Sequence, residues 1–184
     1  MISKRSGGFW LGFLGGALAS RLLPPLLAQA RGAAGSAMGE DPFARLIAEH
    51  KKLLSLLSDM ERTPASQPGK RLLLFLAFKR LIAKHAMAEE DVVYPLLHEK
   101  ADRAQAAEKL YQEHGLMKVH LFSLQRALKE NEAWTRHVTA LRQEISEHAR
   151  QEEEEEFPRV RRMRESNQSS ELNRNLRQEE ALIL

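Results

Sequence analysis

From Asp41 to about Arg164, apolar residues return every three or four positions, the period of one face of an α-helix. Loop signals and capping residues divide this stretch into four predicted helices. Helix one runs from Asp41, a capping residue followed by Pro42 at the first helical position, to about Arg62. The Pro- and Gly-containing TPASQPG is a loop, and helix two spans about Lys70 to Glu99. Asp102 can cap helix three, which ends near Lys129, and Asn131 can cap helix four, which ends near Arg164. The phase of each helix defines its buried face. Phe43, Leu46, Ile47, His50, Leu53, Leu54 and Leu57 share a face of helix one, and Leu74, Phe78, Leu81, His85, Glu89, Val92 and Leu96 share one of helix two. Helix three contributes Ala107, Leu110, His114, Met117, Leu121, Leu124 and Leu128, and helix four Trp134, Val138, Leu141, Ile145, His148 and Glu152. Four amphipathic helices joined by short connections predict an all-α, up-down-up-down four-helix bundle.

Each apolar face is interrupted near its middle by a histidine, and on helices two and four by a glutamate one turn later. The interruptions repeat. AEHKKLLSLL in helix one resembles QEHGLMKVHL in helix three, and KHAMAEEDVVYPLL in helix two resembles EHARQEEEEEFPRV in helix four. His50 and His114 are 64 positions apart, and His85 and His148 are 63 apart. Pro95 and Pro158 each follow an aromatic residue, Tyr94 and Phe157, at the same distance from their histidine. A helix pair duplicated in tandem predicts a pseudo-twofold bundle with six polar groups meeting at its centre.

Composition narrows the chemistry. The chain of 184 residues is 43% hydrophobic and contains no cysteine, which leaves a sizeable core but excludes disulfides, iron–sulfur clusters and thiolate sites. Its 28 basic and 25 acidic residues nearly balance, and no basic stripe with interleaved aromatics points to nucleic acid. A lone histidine on an apolar face is more often a hydrogen-bonded core residue than a ligand. Four in phase, in two copies of one pattern with two glutamates in phase, are a different matter. One buried unpaired carboxylate costs several kcal/mol, and two beside four imidazoles require compensation. A pair of metal ions supplies it: carboxylates bridge, imidazoles complete each ion, and a thiolate-free donor set suits iron or manganese. The candidate ligands are therefore His50, His85, Glu89, His114, His148 and Glu152. His98, His120 and His137 sit beside the core stripe and are read as surface or boundary residues. The run Glu152 to Glu156 is read mainly as a solvated face, and so are Glu90 and Glu153, although both directly follow a candidate ligand glutamate and could reach behind the ligands or draw cations inward.

These residues resemble the hemerythrin-like, or HHE cation-binding, domains: His50, His85-x-x-x-Glu89, His114 and His148-x-x-x-Glu152 occur in order over about residues 41 to 163. The resemblance implies two non-haem iron ions, carboxylate- and oxo-bridged, and a small diatomic ligand or peroxide as partner. Oxygen carriers of the family have a fifth histidine four positions after the third-helix histidine, where this chain has Lys118. The departure implies open ligand positions and reactivity. The repair-linked members often carry a Cys-containing N-terminal region, which a cysteine-free chain cannot match.

Residues 1–39 are of another kind: Lys4 and Arg5, a Gly-rich apolar run from Gly7 to Ala19, Arg21, LLPPLLAQA, and a Gly/Ala/Ser linker. A signal peptide ending at Ala28-Gln29-Ala30, a membrane-associating segment within residues 7–27, and an apolar leader without structure are the three readings, leaving export, membrane association and a cytoplasmic location open. The bundle domain is expected at 40–164, and 165–184 as a polar tail or short extra helix. Four functions compete: a domain that binds or senses dioxygen, nitric oxide or peroxide; a di-iron enzyme acting on peroxide or nitric oxide; an iron-storage or delivery protein; and a metal-free structural bundle. A catalyst needs a proton donor at the site, for which Tyr94, Tyr111 and Lys118 are the candidates, and neither tyrosine falls on the expected core stripe.

Overall fold

The computed structural model describes residues 41–100, 103–163 and 166–182, and all regular structure among them is helical. The N-terminal segment and the Asp102 cap lie outside the described residues. Helix α1 is Ala44–Glu61 and α2 is Pro68–Ala88; a π-helical turn, Glu89–Val93, runs directly into α3, Tyr94–Lys100. Helix α4 is Ala104–Arg126 and α5 is Asn131–Gln151; a second π turn, Glu152–Glu156, continues into α6, Phe157–Met163. Helix α7, Ser166–Ala181, follows. The four rods of the bundle are thus α1, α2–α3, α4 and α5–α6. α1 packs against both α2 and α5, and α4 against α5. α7 lies along α2 and buries Leu172 and Leu176. Asp41 stands one turn before α1: its carboxylate accepts the Phe43 N–H at 3.2 Å and receives two hydrogen bonds from Arg161 at 3.0 and 2.5 Å.

Both π turns have the same local cause. In an α-helix, proline lacks the N–H its turn needs and collides with the carbonyl four residues back. Here the turn before each proline is widened: the N–H of Tyr94 reaches the Glu89 carbonyl and that of Phe157 the Glu152 carbonyl, each five residues back. Pro95 cannot serve the carbonyl of Glu90, which instead accepts the Tyr111 hydroxyl at 2.7 Å. The extra residue advances the helical phase by one position. Val93, Tyr94 and Leu97 are buried, whereas the uninterrupted 3.6-residue period pointed to Val92 and Leu96, which are only half-buried or less so. The same shift corrects the reading of the Glu152–Glu156 run. Glu156 is fully buried and bonded to Arg103, while Glu154 and Glu155 face solvent.

The core has two apolar layers with the polar residues between them. One contains Leu53, Leu57, Phe75, Phe78, Trp134, Leu141 and Ile145. The other contains Phe43, Leu46, Val93, Leu97, Leu110, Phe157 and Leu172. Arg71 and Trp134, 63 positions apart and equivalent in the repeat, stack at the far end with the guanidinium 4.9 Å from the ring centroid. Trp134 donates its indole N–H to the Met60 carbonyl at 3.1 Å, and Arg71 donates to the carbonyls of Thr63 and Glu130 and to the Asn131 side chain.

Candidate metal centre

All six sequence-predicted residues are buried and converge between the two apolar layers. α1 delivers His50, α2 His85, α4 His114 and α5 His148; each π turn opens with a glutamate, Glu89 and Glu152. Glu89 lies at the centre. Its Oε1 is 3.1 Å from His85 Nε2 and 3.7 Å from His50 Nε2, and its Oε2 is 3.5 Å from His114 Nε2 and 3.9 Å from His148 Nε2. Glu152 Oε2 is 3.2 Å from His50 Nε2 and 3.4 Å from His148 Nε2.

The opposite ring nitrogen of every histidine meets its own carboxylate. His50 Nδ1 is 2.8 Å from Glu153, His85 Nδ1 3.1 Å from Glu49, His114 Nδ1 2.8 Å from Glu90, and His148 Nδ1 2.9 Å from Glu113. A carboxylate there takes the Nδ1 proton as a hydrogen bond, leaving Nε2 as the donor nitrogen turned inward. The helical phase gives no sign of Glu49 and Glu113, and Glu90 and Glu153, expected mainly on a solvated face, instead take the other role open to them, against the candidate ligand histidines. The repeat does carry a signal for them. Glu precedes His in both copies (Glu49-His50, Glu113-His114), and a second Glu follows the first in both (Glu89-Glu90, Glu152-Glu153). His120 and His137, by contrast, meet each other half-exposed between α4 and α5, at 3.0 Å, and His98 faces solvent.

Two groups of donors result. His50, His85, Glu89 and Glu152 form one and Glu89, His114 and His148 the other, the donor atoms in each lying within 4.8 Å of one another. Glu89 belongs to both. His50 Nε2, His85 Nε2, both Glu89 oxygens and Glu152 Oε2 are buried without a hydrogen-bond partner. Orphaned polar atoms in a fully enclosed core are costly, and cations held between them remove that cost. The residues present therefore fit a pair of cations.

Electrostatics points the same way. Burial opposes ionisation of Glu89, but the surrounding imidazoles outweigh it and hold the carboxyl well below the usual range. Burial likewise opposes a charge on His50, yet the nearby Glu152 and Glu89 carboxylates raise it to about 11. His148, against the same opposition, is raised to about 10 by Glu152, Glu113 and Glu89. Both folded values lie above the unfolded one. The two imidazolium charges thus stabilise the metal-free fold fully below about pH 6.5, and that contribution is lost as pH rises through 10 to 11. A cation must displace these protons. Metal loading at pH 7 is expected to release about two protons per chain, read with an indicator dye in weak buffer, and affinity is expected to rise steeply with pH. Loading without proton release would contradict this arrangement.

The repeat is broken at one place. Tyr94, buried by the π-turn phase shift, brings its hydroxyl into the cage: 2.9 Å from Glu152 Oε1, 3.1 Å from His114 Nε2 and 3.5 Å from His148 Nε2. Its repeat equivalent, Phe157, has no hydroxyl and lies parallel to the His50 ring at 6.3 Å. Burial, with the charges of Glu152 and Glu89, keeps the Tyr94 hydroxyl protonated well above the usual phenol range. A cleft of about 360 Å³ between α2 and α4 reaches His114, one of the partners of Tyr94, and Glu90 past Ile82, Ala83, Met117 and Leu121.

A duplicated helical bundle enclosing a cage of imidazoles and carboxylates defines a cation-binding bundle protein. The family model of the hemerythrin HHE cation binding domain matches residues 29–160, most of the chain, and the protein belongs to that family. No curated protein and no solved structure matches the chain.

Proposed function

We propose that His50, His85, Glu89, His114, His148 and Glu152 hold two non-haem iron ions, and that this centre binds or senses dioxygen, nitric oxide or peroxide. The observation that carries the reading is the orientation of the four imidazoles. Each is pinned at Nδ1 by a carboxylate and presents Nε2 inward to the shared Glu89. Nitrogen and carboxylate donors without thiolate suit iron, and six side chains leave positions on two six-coordinate ions for an added ligand. The apolar cleft ending at His114 is the route by which a small neutral molecule reaches it.

A second reading, an enzyme acting on peroxide or nitric oxide, is favoured by Tyr94. Its hydroxyl is a buried proton donor at the edge of the cage, within hydrogen-bond distance of His114, the cage histidine that the cleft reaches. When bound, iron supplies the redox chemistry; Tyr94 holds a proton within reach of whatever binds beside His114 and His148. The test is to load the protein with ferrous iron anaerobically, determine iron per chain, and record spectra on adding each of the three ligands. About two irons per chain and a spectral change with at least one ligand are expected. Tyr94→Phe should retain the iron but slow turnover of peroxide or nitric oxide about a hundredfold if the tyrosine acts as the acid, and leave simple binding nearly unchanged if it does not. Iron loading without response to any ligand would leave a storage or delivery protein.

A further inference from the structure

Helices α2 and α4 carry a surface unlike the rest of the bundle. Seven of the nine exposed large apolar side chains among the described residues lie on these two helices. Leu73 is 70% exposed, Leu76 50%, Val119 62% and Phe122 63%, values at which a core residue is excluded. The same stretches contain no acidic residue, from Arg62 to Ala88 and from His114 to Lys129. They do contain exposed bases: Lys70, Lys79 and Arg80 on α2, and Arg126 and Lys129 at and just beyond α4, while Lys118 is paired with Glu90 at 3.0 Å. Elsewhere on the bundle, exposed charges of both signs pair with one another, as in Arg62–Asp59, Arg142–Glu61 and Arg150–Glu154.

The apolar and basic residues are arranged together. Leu72, Leu76, Lys79 and Ala83 recur on one stripe of α2 at helical spacing, and Lys118, Val119 and Phe122 recur on α4. Lys79 bridges the two helices, donating to Gln125 at 3.2 Å. The cations sit against apolar rings: Lys79 Nζ is 5.8 Å from the Phe75 ring centroid and the Arg126 guanidinium 5.7 Å from that of Phe122. Long basic side chains lying over apolar surface can keep their charges at a headgroup layer while that surface enters the lipid.

We propose that the outer face of α2 and α4 docks on an anionic lipid surface. Exposed leucines and phenylalanine supply the apolar burial, and Lys70, Lys79, Arg80, Arg126 and Lys129, on stretches without acidic residues, supply attraction to negative headgroups. A second copy of the chain fits this face less well, because self-pairing would set one basic face against another. Docking would turn the cleft between α2 and α4 towards the membrane, the phase in which small apolar gases concentrate.

The full chain is tested by co-sedimentation with vesicles of neutral phosphatidylcholine and with vesicles containing phosphatidylglycerol, at low and raised salt. Wild type is expected on the anionic vesicles, with salt releasing it. Leu76→Glu/Phe122→Glu, altering only exposed positions, should weaken binding at least tenfold. Helical circular dichroism and melting should be unchanged. Lys79→Gln/Arg80→Gln should weaken binding to anionic vesicles by about fivefold per charge, and it decides the question should the first variant misfold. Wild type that ignores anionic vesicles overturns the proposal. So does wild-type-level binding by both variants, which would assign adhesion to residues 1–39. A dimer in light scattering that Leu76→Glu/Phe122→Glu dissociates, with no vesicle binding by either protein, would make the face a contact between copies and equally overturn it.

Discussion

Glu89→Ala is expected to empty both halves of the centre at once. Glu89 is the single residue shared by the two donor groups, with one oxygen nearest His85 and the other nearest His114. Removing it takes away the carboxylate between the two positions and one of the two inward negative charges, Glu152 being the other, that draw cations into an enclosed core. Glu152 belongs to only one group, so Glu152→Ala should spare much of the metal held by His114, His148 and Glu89. Metal analysis after anaerobic loading and desalting should therefore give about two ions per chain for wild type, near zero for Glu89→Ala, and about one for Glu152→Ala. Each of the four rods contributes one carboxylate that only orients an imidazole, and Glu113→Gln should be milder, weakening binding by about 10- to 100-fold. Because both Glu89 oxygens lack hydrogen-bond partners, the alanine variant should keep its helical circular dichroism. A Glu89→Ala protein that holds as much metal as wild type would remove the shared-carboxylate reading altogether.

Arg71→Ala should be among the most destabilising single changes, although Arg71 lies at the far end of the bundle from the cage. The residue is 1% exposed, an unusual burial for arginine, and its guanidinium is fully employed. Nε donates to the Thr63 carbonyl at 3.0 Å, Nη1 to the Glu130 carbonyl at 3.3 Å, and Nη2 to Asn131 Oδ1 at 2.7 Å, while the plane stacks on Trp134. It thus ties the α1–α2 loop to the α4–α5 loop. Alanine would leave those acceptors unserved and a cavity beside Trp134. The Thr63 acceptor is buried and would cost about 1–3 kcal/mol unserved, the two part-buried acceptors cost less because water can reach them, and the lost packing adds to this, so a total of about 3–5 kcal/mol is expected. For a domain of this size that lowers the melting temperature by about 10 °C or more. Thermal denaturation followed at 222 nm checks it, and a shift of only a degree or two would mean that the two loops are held by other contacts. Arg71→Lys should recover little, since one ammonium cannot reach three diverging acceptors.

How far the sequence could be read depended on whether a feature is local. The four helices, their amphipathic faces and the duplication are local properties, because a 3.6-residue period and a repeat of 63 or 64 positions are visible in one dimension. The inward phase of His50, His85, Glu89, His114, His148 and Glu152 follows from that period, and the fold brings all six to one place. The reading failed beyond Glu89 and Glu152, where a π turn ahead of each proline adds a residue and moves the buried stripe. Tyr94 and Glu156 were lost for that reason.

What only the tertiary structure decided lies between helices. Glu49 orients His85, Glu153 orients His50, Glu90 orients His114 and Glu113 orients His148; in every pair the two partners come from different rods of the bundle. No spacing along the chain states such a pairing, because it depends on how the rods are rotated and offset against one another. The same holds for the two repeats' one chemical difference. The sequence by itself determined a duplicated bundle with Tyr94 and Phe157 at equivalent positions. Packing decided that the tyrosine hydroxyl reaches the cage beside His114 and Glu152 while the phenylalanine ring closes the other side against His50.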